Sequence, residues 1–213
     1  MLNMLFFALC LFTFNVVSIN THGLWNVNRR QTVFNLIKKH KYDITFLQET
    51  HWTDDLKDII LKEWRGEILF NNFEANARGT AVLFHPNFDF RVCQNTHDPH
   101  GRNFQTKIQH AGRKCNLVNV YAPCTDTERR VSAFLSSTEE NILGGDFNCI
   151  SNAKLDKLGV NPSARQTANT ILYTTLQTYG VTTTVTHENL HGQANILTIT
   201  HTSTLALINF TSH

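Results

Sequence analysis

The sequence has 213 residues and a mass of 24.3 kDa, the size of one large domain or two small ones. Hydrophobic residues make up 41% of the chain and charged residues 17%, which excludes disordered, collagen-like and low-complexity proteins. The 19 basic and 17 acidic residues leave a net charge of +2, so the overall charge indicates no polyanionic partner. Function must be argued from individual sites.

The chain begins with an apolar segment. No charged side chain occurs between Met1 and Asn28, and Met4 to Phe14 is nearly continuous in Leu, Phe, Ala and Cys. This run is similar to the apolar region of a signal peptide, but it lacks a basic start and a small-residue cleavage pattern, and it is too short for a membrane-spanning helix. We therefore assign residues 1–13 to an N-terminal extension and 14–213 to a single domain, and we expect no stable membrane association.

Strands and helices alternate along the rest of the chain. In chain order the predicted elements are a strand at Phe14–Ile19, a helix capped by Asn28, a strand at Asp43–Leu47, a helix at Asp54–Trp64, strands at Thr80–Phe84 and Asn116–Tyr121, a helix at Asp126–Leu135, a strand at Asn141–Gly145, a helix at Arg165–Thr178, and strands at Ile196–Thr200 and Leu205–Phe210. There is no internal repeat and no linker. The pattern predicts one α/β domain whose sheets are covered by outer helices.

The five cysteines are widely spaced and include no C-x-x-C pair; they are Cys10, Cys93, Cys115, Cys124 and Cys149. This spacing argues against a disulfide framework and against a zinc ribbon. We expect a reduced, intracellular setting.

Several predicted strands are followed by polar residues that could share one task. Asn20 follows the first strand, Glu49 the second, Tyr121 a later one, and Asp146 and Asn148 come after Gly144-Gly145. Side chains at the same ends of neighbouring strands converge, because the strands lie only about 4.8 Å apart. The sequence therefore predicts one polar crevice assembled from distant parts of the chain.

The residue types in this crevice suit the hydrolysis of a phosphodiester. That reaction needs a hard cation, a carboxylate for the attacking water, and neutral donors for the phosphate. Glu49 could hold Mg²⁺, Asp146 could orient the water, and Asn20, Asn148 and Tyr121 could donate hydrogen bonds. The two glycines before Asp146 are expected to let the backbone turn sharply and approach closely. Each polar residue alone is also typical of an ordinary turn or helix cap, whereas Gly144-Gly145-Asp146-Phe147-Asn148 is more specific.

Five ordered motifs resemble those of the endonuclease/exonuclease/phosphatase superfamily, and among its branches the apurinic-type endonuclease domain of non-LTR (LINE-type) retrotransposons. The motifs are Ser18-Ile19-Asn20-Thr21-His22-Gly23-Leu24, Phe46-Leu47-Gln48-Glu49-Thr50-His51, Gly79-Thr80-Ala81-Val82-Leu83-Phe84, Asn119-Val120-Tyr121-Ala122-Pro123 and Gly144-Gly145-Asp146-Phe147-Asn148. The resemblance covers about Phe14 to Phe210, nearly the whole chain.

The resemblance implies a DNase I-like four-layer sandwich, in which two packed sheets, mainly antiparallel or mixed, are flanked by helices, and from which the last strand is expected to be missing. It implies nicking of DNA with Mg²⁺, or alternatively Mn²⁺, in the nucleus, without a small-molecule cofactor; it leaves the oligomeric state open. The roles that it implies are metal ligand for Glu49, carboxylate near the attacking water for Asp146, support of metal and phosphate for Asn20 and Asn148, and phosphate contact for Tyr121.

The C-terminal part departs from the pattern of this superfamily. Where a Ser-Arg-Ile-Asp motif is expected, Leu207 stands for the arginine and Asn209 for the aspartate that would orient a catalytic histidine. The expected Ser-Asp-His motif does not occur, and His213 is a poor substitute for it. An amide cannot supply the charge that stabilises an imidazolium, so we predict little or no turnover. Robust Mg²⁺-dependent nicking that Glu49→Ala abolishes would contradict this prediction.

Two other functions are compatible with the sequence. A secreted DNase I-like phosphodiesterase would explain the apolar start, but it needs signal cleavage that spares Asn20. A non-catalytic nucleic-acid-binding remnant would keep the groove and contact phosphates through basic pairs, although such pairs are usually solvated helix faces. The pairs are Arg29-Arg30, Lys38-Lys39 and Arg129-Arg130.

Overall fold

The computed structural model describes residues 15–121, 140–146, 182–183 and 204–209. In these parts the chain forms ten strands, two α-helices and one 3-10 turn. The strands are β1 (Val16–Asn20), β2 (Ile44–Gln48), β3 (Ile68–Asn71), β4 (Thr80–Phe84), β5 (Arg91–His97), β6 (Asn103–His110), β7 (Arg113–Tyr121), β8 (Glu140–Asp146), β9 (Thr182–Thr183) and β10 (Thr204–Asn209). The helices are α1 (Val27–His40) and α2 (Lys57–Glu63), and the 3-10 turn is Asp54–Leu56.

The strands form two mixed sheets. The first sheet has the order β1-β2-β4-β3, with β1 and β2 parallel and the other pairs antiparallel. The second has the order β5-β6-β7-β8-β10-β9; its first three strands are antiparallel, and β7, β8, β10 and β9 run parallel to one another. This is the α/β architecture that the resemblance implies, with two packed mixed sheets.

Two apolar layers hold the described part together. One lies between the sheets and contains Phe46 and Phe84 of the first sheet together with Phe104 and Leu117 of the second. The other lies on the outer face of the first sheet, where α1 and α2 cover it with residues such as Phe34. Strands β1, β2 and β4 are buried along their whole length because both of their faces are covered. Their nearly continuous apolar sequences follow from this position.

The start of α1 differs from the prediction that Asn28 caps this helix. Asn26 is the cap: its backbone is extended and its Oδ1 accepts hydrogen bonds from the amides of Asn28 and Arg29 at 2.9 and 3.1 Å. Asn28 therefore lies in the first turn. Both asparagines have a good capping side chain, and the sequence alone favoured the wrong one.

Within the described residues, the bounds of the other predicted strands and helices agree with the observed bounds to within a few residues. Four strands were not predicted: β3, β5, β6 and β9. The predicted elements Asp126–Leu135, Arg165–Thr178 and Ile196–Thr200 lie outside the described residues, as do residues 1–14. None of the helices within the described ranges has the length and apolar character needed to span a membrane.

Candidate active site

Four predicted site residues meet where the two sheets pack together. Asn20 ends β1 and pairs in parallel register with Gln48, which directly precedes Glu49. Tyr121 and Asp146 end β7 and β8 and are register partners in the second sheet. Because β1 packs against β8, the two pairs of strand ends lie side by side, and we call this meeting point the crevice. The sequence predicted convergence of neighbouring strands, and the structure adds that the residues come from two opposed sheets.

Asn20 connects the two carboxylates of the crevice. Its Nδ2 donates hydrogen bonds to Glu49 Oε1 at 3.0 Å and to Asp146 Oδ2 at 2.5 Å. Its Oδ1 accepts a hydrogen bond from the backbone amide of His22 at 3.1 Å, which fixes the orientation of the side-chain amide. Asn20 and Asp146 are 3% and 0% exposed. Two acidic groups are thus held together inside the protein by one neutral donor.

Glu49 is ionised at neutral pH although it is partly buried. Burial raises the pKa of this carboxyl group, but hydrogen bonds from His22, Asn20 and Tyr121, together with the charge on His22, lower the pKa to about 2. The residue has a φ of 51°, in the left-handed region that a residue with a Cβ seldom adopts. Backbone strain at such a position is typical of functional sites.

Two histidines flank Glu49, and the sequence assigned neither of them a role beyond membership of the Asn20 and Glu49 motifs. His22 Nδ1 lies 3.2 Å and His51 Nε2 3.8 Å from Glu49 Oε2. The hydrogen bond to Glu49 raises the pKa of His22, whereas burial lowers the pKa of His51. Both histidines have positive φ values, 45° and 54°. Their place inside two of the motifs was the signal that could have pointed to them.

A buried polar network lies behind the crevice and was also missed. Gln48 Nε2 donates to Asn119 Oδ1 at 2.7 Å and to Ser18 Oγ at 3.1 Å. Asn119 Nδ2 donates to the backbone carbonyls of Leu47 and Ala81, both at 2.9 Å. Gln48, Asn119 and Ser18 are completely buried. The network joins the two sheets directly beneath Glu49 and so holds β2 in place relative to β7.

Gly144 of β8 allows the two sheets to approach closely, and Gly145 leaves room for the neighbouring strand β7 of the same sheet. A Cβ on Gly144 would lie 2.5 Å from Phe46 Cδ2, and one on Gly145 would lie 2.2 Å from the carbonyl oxygen of Val120. The prediction of close approach is therefore confirmed. The predicted sharp turn is wrong, because both glycines lie within the regular strand and neither has a positive φ.

Comparison with known proteins identifies the family. The model of the Endonuclease/Exonuclease/phosphatase family matches residues 12–193 of this chain. The chain belongs to the Endonuclease/Exonuclease/phosphatase family. A relative in Xenopus laevis, named Transposon TX1 uncharacterized 149 kDa protein, is 35% identical over 142 residues, which cover 63% of this chain. The chain spans only 11% of the length of that relative.

Solved structures show the same fold. The chain is similar to an AP endonuclease from Leishmania major, with a TM-score of 0.60, 15% identity, and coverage of 78% of this chain and 66% of that one. It is also similar to an AP endonuclease from Archaeoglobus fulgidus, with a TM-score of 0.57, 16% identity, and coverage of 87% and 86%. D. rerio TDP2 complexed with single-strand DNA product has a TM-score of 0.51 and 14% identity, covering 67% of this chain and 63% of that one. The DNase I-like architecture is therefore that of this family.

The donor set of this family member suits a hard divalent cation. Glu49 supplies a charged carboxylate whose side chain is 15% exposed, so it can be reached from the crevice. Mg²⁺ needs few protein ligands because it keeps several waters and takes further oxygens from substrate. Within the described residues no three His, Cys, Asp or Glu side chains are grouped so that they could hold a metal ion. The residues therefore fit a metal held mainly by Glu49, water and substrate.

Of three further residues considered from the sequence, the structure describes only the backbone of Asn209. Asn148 and His213 lie outside the described residues. The backbone of Asn209 ends β10 and is the register partner of Asp146. The position at which the family pattern has an aspartate therefore adjoins the crevice, as expected from the motif order.

The basic pairs differ in whether their side chains could contact a phosphate. Arg30 is 2% exposed, and its guanidinium binds both carboxylate oxygens of Glu63 at 2.6 and 2.7 Å, so it is a structural residue. Arg29 Nη2 donates to the carbonyl of Thr21 at 2.8 Å. Lys38 lies over the ring of Trp64, at 5.5 Å from the ring centroid. The interpretation of these residues as phosphate contacts is wrong for Arg30, and Arg129-Arg130 lies outside the described residues.

Proposed function

We propose that this chain is a metal-dependent endonuclease domain that nicks DNA, and that its turnover is impaired by Asn209. The observation that carries the proposal is the Asn20 amide that joins Glu49 to Asp146 in a crevice between two sheets. Two carboxylates and a neutral donor are the groups that phosphodiester hydrolysis requires.

Each described residue has a defined task in this proposal. Glu49 would hold the divalent cation, which when bound supplies positive charge to a phosphate oxygen and to the leaving oxygen. Asp146 is completely buried, and it would accept a proton or a hydrogen bond from the attacking water. Asn20 keeps the two carboxylates at a fixed separation, and Tyr121 donates a hydrogen bond to Glu49 and so favours its charged form. Asn148 would support the phosphate.

Asn209 is one reason for the proposed impairment, and the other is that no Ser-Asp-His motif occurs in this sequence. Its backbone lies in register with Asp146, so a carboxylate at this position would be close to the reacting groups. An amide can accept a hydrogen bond but does not stabilise a neighbouring cation. Replacing aspartate by asparagine in the corresponding role of another hydrolase lowers kcat by about 10⁴.

The retrotransposon role belongs to the same proposal. It is supported by the 35% identity to a relative whose name places it in the TX1 transposon. An enzyme that nicks chromosomal DNA would act in the nucleus, and we propose that location. We also propose duplex DNA as the binding partner of this chain, because the proposed activity acts on it.

Plasmid nicking tests the proposal. Purified chain is incubated with supercoiled plasmid and Mg²⁺ or Mn²⁺, beside Glu49→Gln, Asp146→Asn and Asn209→Asp. We expect slow metal-dependent nicking by the natural chain, which Glu49→Gln and Asp146→Asn should reduce to background. Asn209→Asp should restore little of the rate, because the sequence has no Ser-Asp-His motif whose histidine this aspartate could orient. Robust nicking by the natural chain would overturn the proposed impairment, and nicking that persists in Glu49→Gln would overturn the proposed site.

Asn209 also favours a second candidate function, a nucleic-acid-binding domain without catalysis. This candidate predicts salt-sensitive affinity for duplex DNA together with no nicking in any of the four proteins.

A further inference from the structure

Three loops join beside the crevice and form a rigid rim. The backbone amides of Thr50 and His51 donate to the carbonyls of Gly79 and Arg78 at 3.1 and 3.0 Å. The amide of Gly79 in turn donates to the carbonyl of Gly101, in the β5–β6 turn, at 3.2 Å. The loop that carries Glu49 is thus hydrogen-bonded to the β3–β4 loop, and that loop to the β5–β6 turn.

Two glycines make this close junction possible. A Cβ on Gly79 would lie 2.5 Å from Thr50 Oγ1, and one on Gly101 would lie 2.6 Å from Phe73 Cβ. Both glycines also have positive φ values, 84° and 65°. Side chains that project from the junction therefore stand on a backbone that is fixed relative to Glu49.

Phe73, Arg78 and His100 project from this junction, and we call them the rim cluster. The guanidinium carbon of Arg78 lies 4.8 Å from the centroid of the Phe73 ring, and the ring of His100 meets the Phe73 ring edge-on at 6.3 Å. Phe73 and Arg78 are half-buried and His100 is exposed. Stacking on an aromatic face holds a guanidinium in a defined plane and leaves its N–H edges available.

The neighbouring acidic residues do not neutralise Arg78. Among the described residues, no carboxylate lies within ion-pair distance of its guanidinium. Asp98, in the same turn as His100, uses Oδ1 to accept the backbone amides of His100 and Arg102 at 2.8 and 3.1 Å. An anion supplied by a ligand could therefore pair with Arg78.

We propose that the rim cluster binds a backbone phosphate of DNA next to the phosphate that is cleaved, with Arg78 as the contact and Phe73 as its support. This inference rests on the proposed function. A polynucleotide that presents one phosphate at Glu49 must continue over the edge of the crevice, and the β3–β4 loop is part of that edge. Planar guanidinium groups match the oxygens of a phosphate in pairs, which a lysine cannot do.

DNA binding without cleavage tests the inference. The anisotropy of a short fluorescein-labelled duplex is measured in EDTA at several salt concentrations, with Arg78→Gln, Arg78→Lys and Phe73→Leu beside the natural chain. The matched control is Arg91→Gln, because Arg91 starts β5 at the end remote from the β5–β6 turn and its side chain donates to Gln109 alone in the described contacts. Thermal unfolding of every variant shows whether it is folded.

We expect Arg78→Gln to weaken binding by about tenfold and to make the slope of log K against log salt shallower by about 0.9. Arg78→Lys should keep the slope and lose part of the affinity, and Arg91→Gln should behave as the natural chain. Equal DNA affinities and equal salt slopes for Arg78→Gln and Arg91→Gln would overturn the inference, whatever the nicking assay shows. Conversely, Arg78-dependent binding combined with metal-dependent nicking no faster than that of Glu49→Gln would support the rim site and contradict the proposed hydrolysis.

Discussion

Asn20 and Asp146 lie 126 positions apart in the chain, yet the Asn20 amide donates to the Asp146 carboxylate at 2.5 Å. The same nitrogen donates to Glu49, so a single side chain neutral at every pH connects the ends of β1, β2 and β8. Two carboxylates held in one buried site repel each other unless a donor or a cation lies between them. Asn20 is that donor in this structure.

Asn20→Ala should therefore reduce both stability and nicking. The loss of hydrogen bonds to two carboxylates is expected to lower the free energy of unfolding by about 2–3 kcal/mol at about pH 7. The difference should shrink as the pH falls from about 4.5 towards 2, because Glu49 becomes protonated below about 4.5 in the unfolded chain but only near 2 in the folded protein. Urea denaturation at several pH values measures it. Asn28→Ala, an exposed asparagine on α1, is the control, and an equal effect of both variants would contradict the bridging role.

His22→Ala tests the ion pair with Glu49 through its pH dependence. The pKa of Glu49 is lowered to about 2. The contribution of ionised Glu49 to the free energy of unfolding is therefore present above about pH 4.5 and is lost as the pH falls towards 2. The pKa of His22 is raised, so its share is present below 6.5 and is lost as the pH rises through the raised value. The pair should therefore stabilise the protein most between about pH 4.5 and 6.5.

The size of this effect is limited because the His22 side chain is 36% exposed. Solvent screening should keep the difference between the natural chain and His22→Ala to about 1 kcal/mol or less. Urea denaturation across the pH range without added metal gives the measurement. His22→Gln, which can keep a hydrogen bond without the charge, should lose most of the pH dependence, and a difference that is constant with pH would contradict the ion pair.

The parts of the fold that were predictable have a clear local pattern. The strand at Thr80–Phe84 was predicted with its observed bounds because it is a continuous apolar and β-branched run buried on both faces. Strand β5, Arg91–His97, is an edge strand in which six of seven residues are exposed, so no apolar pattern marks it. It also contains a register irregularity at Cys93, which disturbs the two-residue period.

Parts of the site could not be predicted because they depend on packing between sheets. A local pattern places Asn20 and Glu49 at strand ends, but it does not reveal which sheet each strand joins. The hydrogen bond between Gln48 and Asn119 spans 71 positions and appears in no local motif. The positive φ of Glu49 likewise arises from the tertiary structure, since its sequence carries no glycine or asparagine at that point.

Alanine substitutions of the β8 glycines should be costly to different degrees. Gly145→Ala brings a methyl group against the backbone carbonyl of Val120, so β7 must move, and we expect a loss of about 3 kcal/mol or more. Gly144→Ala meets the Phe46 ring, and its cost should be about 1–3 kcal/mol. Equilibrium denaturation measures both losses.

A double variant tests whether the cost of Gly144→Ala comes from the clash between the new methyl group and the Phe46 ring. Phe46→Leu combined with Gly144→Ala should cost less than the sum of the single variants by about 1 kcal/mol, since the smaller side chain makes room for the methyl group. The control is Gly112→Ala, which has nothing within 4 Å of its new Cβ but a φ of 81°, so its cost should be about 1 kcal/mol from backbone strain alone. Additive losses at Gly144 and Phe46 would contradict the proposed contact between the sheets.

Arg30 and Arg78 should respond in opposite ways to substitution. Arg30 donates from Nε and Nη2 to the two carboxylate oxygens of Glu63, and from Nη1 to the carbonyls of Leu24 and Trp25 at 2.9 and 3.0 Å. Removing one partner of such a buried pair leaves the other partner and two carbonyls without a donor. Arg30→Ala should therefore lower the free energy of unfolding by about 3–5 kcal/mol.

The same variant should leave DNA affinity unchanged at a temperature where it is folded, because the Arg30 side chain is only 3% exposed and has no free edge for a phosphate. Thermal denaturation and anisotropy titration of Arg30→Ala, side by side with Arg78→Gln, provide the measurement. A fall in the salt slope for Arg30→Ala similar to that for Arg78→Gln would show that α1 contacts DNA through this residue and that its pairing with Glu63 opens in the complex.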